Sequence, residues 1–359
     1  KESARTDARK NWKEIGKIKE IKEGYLSQVI HEISKMVLKY NAIIVMEDLN
    51  YGFKRGRFRV ERQVYQKFEN MLISKLAYLV DKSRKADEPG GVLRGYQLTY
   101  IPDSLEKLVS QCGIIFYVPA AYTSKIDPLT GFVNVFNFRE YSNFETKLDF
   151  VRSLDSIRYD TEKRLFSISF DYDNFKTHNT TLAKTKWVIY LRGERIKKEH
   201  TSYGWKDDVW NVESRIKDLF DSSHMKYDDG HNLIEDILEL ESSVQKKLIN
   251  ELIEIIRLTV QLRNSKSERY DRTEAEYDRI VSPVMDENGR FYDSENYIFN
   301  EETELPKDAD ANGAYCIALK GLYNVIAIKN NWKEGEKFNR KLLSLNNYNW
   351  FDFIQNRRF

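Results

Sequence analysis

Apolar side chains recur every three or four residues along several long segments of the chain, a spacing typical of amphipathic helices. Residues 1–23 carry a thin apolar edge among many charges, and a second helical pattern follows and ends at Asn41. The same spacing predicts helices over about 61–82 and about 242–263. A last helix is predicted to follow 308–314, with alanine and glycine among its apolar positions.

Three other segments have the patterns of strands. Residues 42–46 and 114–118 are uninterrupted apolar runs, as in buried strands, and the first is followed directly by Glu47. Residues 166–172 alternate between apolar and polar, the period of a half-exposed strand. Helices and strands on both sides of 120–305 predict an α/β domain that is interrupted by an inserted α+β domain.

Composition narrows the functional classes. The chain has 359 residues, 41% hydrophobic and 32% charged, which is enough for two folded domains. No apolar run is long enough to cross a membrane, so no membrane partner is expected. Cys112 and Cys316 lie in apolar runs and predict buried, reduced thiols in a cytoplasmic protein. Two thiols and five scattered histidines also argue against zinc.

A basic segment follows the first strand. Between 49 and 67 the sequence carries six cations and one acid, Glu61. A cluster of this kind is often an ordinary solvated surface. It can also contact the phosphates of a nucleic acid, because each Lys or Arg neutralises backbone charge and releases counterions.

Two acids are candidate metal ligands. Glu47 ends a strand, where it is either an ordinary loop acid or a hard oxygen ligand for Mg²⁺, since an unpaired buried carboxylate is costly. Asp310 precedes a helix, where it is either the N-cap or, together with Asp308 and the small residues that follow, part of a metal site.

Arg263 is a candidate for binding phosphate. Counted along the predicted helix, it shares a face with Leu252 and Ile256, which otherwise points to the core. In one interpretation its positive charge interacts favourably with the helix dipole and the side chain extends to water. In the other, its guanidinium fork points into a cleft and stabilises charge on a phosphate. The sequence contains no phosphate-binding glycine loop, HExxH helix or GxSxG elbow, which leaves metal-assisted phosphoryl chemistry as the leading class.

Several short motifs resemble those of type V-A CRISPR effector nucleases. Val45-Met46-Glu47-Asp48-Leu49-Asn50 is similar to the second RuvC motif of that family, and 308–315 is similar to the third. The resemblance extends, in order, over essentially the whole chain. Further matching motifs are Glu23-Gly24-Tyr25-Leu26-Ser27-Gln28, Gln63-Val64-Tyr65-Gln66-Lys67, Thr123-Ser124-Lys125, Leu262-Arg263-Asn264-Ser265 and Ser282-Pro283-Val284.

The resemblance implies an α/β, ribonuclease-H-like (RuvC) domain, incomplete and interrupted by a Nuc domain. Residues 1–22 would be the bridge helix, with Trp12 as the aromatic anchor for the recognition lobe. Residues 23–119 and 306–359 would be the second and third parts of the RuvC domain. Residues 120–305 would be the inserted Nuc domain.

The resemblance also assigns the site. Glu47 and Asp310 correspond to metal-binding carboxylates for Mg²⁺, with Mn²⁺ as an alternative. Arg263 corresponds to the Nuc-domain arginine at the cleavage site, and Asp278 to a nearby acidic residue. The basic loop resembles a lid over the active site, and its candidate nucleic-acid contacts are Lys54, Arg55 and Arg57.

The implied function is Mg²⁺-dependent hydrolysis of DNA in the cytoplasm of a prokaryote, guided by a CRISPR RNA. The expected partners are DNA, the guide RNA, an N-terminal lobe of the same protein and an anti-CRISPR inhibitor. The family's first RuvC motif, which supplies a further metal-binding Asp, has no counterpart here, so the isolated chain is expected to be nearly inactive. Asp127 and Thr130 occupy positions that form a Cys-x-x-Cys half-site in related nucleases, which again argues against zinc.

Two rival functions remain open at this stage. One is a stand-alone resolvase or transposase with a ribonuclease-H fold, which would need its own first Asp. The other is a nucleic-acid-binding or inhibitor-docking module without catalytic activity. Glu47→Ala and Asp310→Ala variants in a magnesium titration would separate them from the enzyme.

Overall fold

The computed structural model divides the chain into two compact units. The first unit comprises Lys1–Ala120 and Asn324–Ser344, and the second comprises Ala121–Tyr323 and Leu345–Phe359. The structure describes residues 2–48, 59–102, 111–175, 181–202, 204–265, 278–294, 305–306 and 308–356.

The first unit begins with helix α1 (Glu2–Tyr40), a single helix where the sequence predicted two. The prediction was wrong at Gly24, which lies inside the helix, because one glycine costs a helix only about 1 kcal/mol and does not end it. Asn41, at φ 50°, ends the helix as predicted. Helix α2 (Arg59–Ala77) corresponds to the predicted 61–82 helix.

A small sheet follows α1 and places Glu47. Strands β1 (Ile44–Glu47), β2 (Gln111–Cys112) and β3 (Ile115–Val118) form it in the order β1-β3-β2, with β1 and β3 parallel. Glu47 is the last residue of β1, opposite Val118, so the two parallel strands end together. Apolar side chains of both helices and the sheet form the core of this unit: Ile30, Leu72, Ile73, Leu76, Leu79, Cys112, Ile115 and Tyr117.

Among its described residues, the second unit contains three antiparallel sheets, five complete helices and the first part of α7 (Ala309–Asn331), whose residues from Asn324 onward belong to the first unit. Two sheets have the orders β4-β5-β6 and β11-β10-β9, and β7 pairs with β8. Their bounds are α3 (Phe144–Arg152), β4 (Ser156–Asp160), β5 (Leu165–Asp171), β6 (Lys186–Leu191), β7 (Glu194–Thr201), β8 (Gly204–Asn211), α4 (Val212–Ser222), α5 (Ile234–Glu239), α6 (Ser242–Thr259), β9 (Arg263–Ser265), β10 (Asp278–Met285), β11 (Phe291–Asp293), α7 (Ala309–Asn331) and α8 (Asn347–Asn356).

The core of the second unit is rich in aromatic side chains. The predicted alternating strand is confirmed as β5, whose residues are alternately buried and half-buried. Phe136 is at the centre, with ring centroids 4.8–5.2 Å from those of Phe150, Phe170, Tyr172 and Phe175. Such edge-on and tilted contacts add stability beyond that of area burial alone.

The sequence misplaced the end of the long helix. Helix α6 ends at Thr259 rather than at 263, and Arg263 is the first residue of β9. The backbone leaves the helix because Leu262 and Arg263 join the β10 ladder, where the Val281 amide donates to the Leu262 carbonyl (3.0 Å). The apparent face shared by Arg263, Leu252 and Ile256 was therefore a coincidence of spacing.

Both cysteines are buried and neither forms a disulfide, as predicted. None of the helices in the described ranges has the length and apolar composition that spanning a bilayer requires.

Candidate active site

Arg263 is held in a fixed orientation by its neighbours in the β9–β10 pair. The register places Ser265 opposite Asp278. The Arg263 Nε donates to Asp278 Oδ1 (2.8 Å) and to Ser265 Oγ (3.1 Å), and its Nη2 donates to Asp278 Oδ2. This is a two-pronged guanidinium–carboxylate contact, a strong and directional form of ion pair. Asp278 therefore orients the arginine.

Asp310 contacts the same arginine. Its Oδ1 lies 3.1 Å from Arg263 Nη2, and its side chain is 83% exposed, compared with 39% for the arginine. An ion pair this exposed contributes little to stability, at most about 1 kcal/mol. The structure thus brings together three of the residues singled out from the sequence: Arg263, Asp278 and Asp310.

The N-cap interpretation of Asp310 was wrong, because Asp308 caps helix α7. Asp308 Oδ1 accepts from the Ala311 amide (2.7 Å), and its carbonyl accepts from the Asn312 amide (2.9 Å). Asp310 lies inside the first turn of the helix, where the helix dipole favours a negative charge. Its carboxylate is therefore not needed to complete the helix.

The start of α7 is held against a loop that includes Asp127. Asn312 Nδ2 donates to the Ile126 carbonyl (2.8 Å). Asp127 is fully buried, and its carboxylate accepts from the Leu129 amide (2.7 Å), the Thr130 amide (3.3 Å) and the Ser282 hydroxyl. The Asp127 carboxylate therefore stabilises the turn formed by the residues that follow it and links this turn to Ser282.

Asp127 is predicted to make stability depend on pH. Burial raises the pKa of its carboxyl, so the folded chain holds this proton more tightly than the unfolded chain does. The contribution of Asp127 to the free energy of unfolding is fully present below the pKa of the carboxyl in the unfolded chain. It is lost as pH rises through the pKa of the carboxyl in the folded chain. The Asp127→Asn variant should not lose stability as pH rises, because it has no carboxyl to ionise. Its side-chain amide can donate to the Ser282 hydroxyl, which can in turn donate to the Val284 carbonyl. Urea unfolding across about pH 4 to 7 would measure it.

Asp286 supplies a control of opposite sign. Hydrogen bonds from Arg290 lower the pKa of its carboxyl despite burial, so its stabilisation is lost as pH falls. Asp286 therefore makes the parent more stable as pH rises, and the Asp286→Asn variant should lack this increase in stability. If the free energy of unfolding of the Asp127→Asn variant depends on pH as steeply as that of the parent, Asp127 is not the source of the pH dependence.

Glu47 belongs to the first unit. Its side chain is half-buried at the end of β1, and the Asp48 amide donates to the Val118 carbonyl (2.8 Å). Sequence analysis missed a further acid in this unit, Glu69 of α2. Burial raises the pKa of Glu69, and the negative charge of Asp48 raises it further.

A signal for Glu69 was present in the sequence. It lies three residues before Leu72 and seven before Leu76, so it continues the apolar face of α2. Ser265 had a similar signal, because it lies two positions after Arg263 and a strand would place both side chains on one face. The signal was missed because the sequence analysis assigned Arg263 to a helix, in which positions two apart do not share a face.

Glu47 and Asp310 both carry a carboxylate, the kind of group that binds divalent cations in proteins. Oxygen donors are what Mg²⁺ prefers, and the exposure of Asp310 leaves space for an ion, so Glu47 and Asp310 suit it chemically. Within the described ranges, no three His, Cys, Asp or Glu side chains are grouped closely enough to hold a metal. Lys54, Arg55 and Arg57 lie outside the described residues. Trp12 lies in α1, and its side chain is not among those described.

Enzymes that act on phosphate esters use arginines to stabilise charge on the phosphate and acidic side chains to hold metal ions. A family model, the RuvC nuclease domain, matches residues 1–359. The chain belongs to the RuvC nuclease domain family and is a nuclease.

Proposed function

We propose that the chain is the nuclease portion of a type V-A CRISPR RNA-guided DNA endonuclease, in which Glu47 and Asp310 hold Mg²⁺. The observation that carries the proposal is the contact of Arg263 with both Asp278 and Asp310 in a RuvC-family chain. The RuvC-like motifs around Glu47 and Asp310 support the type V-A assignment.

Each residue has a distinct role in the proposed chemistry. Bound Mg²⁺ would activate water and stabilise the leaving oxygen. Glu47 and Asp310 provide hard oxygen ligands, and Asp278 fixes the plane of the Arg263 guanidinium. Nη1 of Arg263 has no hydrogen-bond acceptor among the described residues, so its two N–H groups remain to stabilise charge on a phosphate.

The finer assignments belong to the same proposal. Residues 1–22 form the bridge helix, 23–119 and 306–359 the RuvC domain, and 120–305 the Nuc domain. The guide RNA supplies sequence specificity by pairing with one DNA strand, so the protein needs no base-specific contacts at the cleavage site. The proposed setting is the cytoplasm of a prokaryote.

The test is cleavage by the chain joined to a first RuvC motif and a guide-binding lobe. Cutting is expected with Mg²⁺, with a guide matched to the target, and not with EDTA or an unmatched guide. Guide-independent cutting of branched DNA would instead favour a resolvase. DNA binding without cutting under any of these conditions would favour a non-catalytic module.

A further inference from the structure

Arg195, in strand β7, is a buried cation that forms no ion pair with an acid among the described residues. Its side chain is fully buried, and its Nη1 donates to the carbonyls of Val281 (2.7 Å) and Gln261 (3.3 Å). Its Nε and Nη2 have no hydrogen-bond partner within the described ranges. Burial lowers the pKa of the guanidinium to about 9, so the side chain still carries its charge at neutral pH.

Stability does not account for a charge at this position. Taking an ion out of water is costly, and replacing a buried ionic group with an apolar side chain of similar volume often leaves stability unchanged or higher. The nearby positive charges of Arg192 and Arg279 disfavour the ionised form further, whereas the negative charge of Asp293 favours it. The two carbonyls that Arg195 bonds indicate instead that it holds backbone in place.

Both carbonyls belong to the backbone around Arg263. Gln261 lies between the end of α6 and Arg263, two positions before the arginine. Val281 follows Ile280, the residue of β10 that is opposite Arg263. One nitrogen of Arg195 therefore links β7 both to the segment that leads into β9 and to the adjoining part of β10.

Two further hydrogen bonds hold the same segment. The Arg263 carbonyl accepts from Gln261 Nε2 (3.0 Å). The buried side chain of Asn264 accepts from the Ile196 amide (3.2 Å) through its Oδ1. Arg195 and the residue after it in β7 thus hold positions 261 and 264, which lie on either side of Arg263 in the chain.

We propose that Arg195 is a positioning residue, which fixes the backbone of 261–264 and so directs the Arg263 guanidinium at the phosphate that is cut. This rests on the proposed nuclease function. Asp278 orients the end of the arginine side chain from a second strand, and that contact keeps its geometry only while the backbones of both strands stay in place. Since a displacement of about 1 Å can slow a reaction about 10²-fold, holding this backbone affects the rate directly.

The test begins with Arg195→Met, which replaces the guanidinium with an apolar side chain. In the enzyme completed with a first RuvC motif and a guide-binding lobe, the single-turnover cleavage rate should fall by about 10- to 100-fold. DNA affinity should not change, because a fully buried side chain does not contact DNA. Arg195→Lys should recover part of the rate, because its ammonium can still donate to a carbonyl.

Arg192→Met is the matched control. Arg192 is also mostly buried, and its Nη1 donates to the Ser282 carbonyl (3.1 Å), the carbonyl that follows that of Val281 on β10. It makes the same change in net charge without a bond to 261–264, so its cleavage rate should stay close to that of the parent. Urea unfolding of both variants should show that Arg195→Met is as stable as the parent, which separates a lost rate from a lost fold.

A double variant asks whether Arg195 acts through Arg263. If it does, Arg195→Met should cause no further loss in an Arg263→Ala background, because residues that act as a unit have non-additive effects. A general structural defect would instead slow cleavage by the same factor in both backgrounds.

Amide hydrogen exchange separates this proposal from the nuclease assignment. Measured without DNA or metal, exchange across 261–265 should be faster in Arg195→Met than in Arg192→Met. Unchanged exchange, an unchanged cleavage rate, or equal slowing with and without Arg263 would each overturn the positioning role. If exchange rises as expected but Arg263→Ala cuts as fast as the parent, the nuclease assignment of the site fails instead.

Discussion

Asp310→Asn is expected to lower Mg²⁺-dependent cleavage by about a thousandfold, because a bound metal contributes several kcal/mol to stabilising the transition state. The substitution removes the negative charge while keeping the size of the side chain. It should leave the fold intact, since Asp310 is 83% exposed and does not cap its helix. Initial rates across a Mg²⁺ titration, in the enzyme completed with a first RuvC motif, would measure the loss.

Asp308 provides a matched control two residues away. Asp308→Asn removes the same charge from the same helix turn, and Asn is an equally good N-cap. Its cleavage rate should stay close to that of the parent. An Asp310→Asn variant that keeps its activity, or an Asp308→Asn variant that loses as much, would remove Asp310 from the metal site.

Glu47→Gln extends the test to the first unit. Two ligands of a shared ion act as one functional group, and effects within such a group are strongly non-additive. The double variant with Asp310→Asn should therefore cut about as slowly as either single variant. Losses that multiply in the double variant would show that the two carboxylates serve separate purposes.

The sequence predicted the position of a residue in the fold where chemistry and a local pattern agreed. Glu47 was placed correctly at the end of a strand, because an apolar run followed by an acid has few alternatives. Arg263 was assigned to the wrong element, since helical spacing continues by chance past Thr259 and only the pairing with β10 ends the helix. Tertiary hydrogen bonds of this kind leave no periodic signal.

The roles of the two aspartates before α7 show the same limit. Asp308 and Asp310 both stand near a predicted helix start, and helix ends are uncertain by one or two residues. Only the hydrogen bond from the Ala311 amide identifies Asp308 as the cap. The contact between Arg263 and Asp310 likewise joins residues 47 positions apart, which no spacing within one element could predict.

Arg263→Lys is expected to lower the cleavage rate by about 10²–10³-fold although the positive charge is kept. Lysine cannot reproduce the planar fork that bonds Asp278 through two nitrogens, and it cannot direct two further N–H groups at a phosphate. The loss should fall on kcat rather than on KM, because the guanidinium acts on charge that develops in the transition state. Single-turnover cleavage and DNA affinity, measured separately, would show this division.

Arg279→Lys is the matched control, since Arg279 lies next to Asp278 on β10 and pairs with Glu194 (3.2 Å) instead. Neighbouring positions of a strand face opposite sides, so this substitution should leave kcat unchanged. Asp278→Asn should give an intermediate loss of kcat, because the arginine keeps its charge but loses its strongest positioning contact. If Arg263→Lys cuts as fast as Arg279→Lys, the guanidinium fork has no part in catalysis and Asp278 positions nothing.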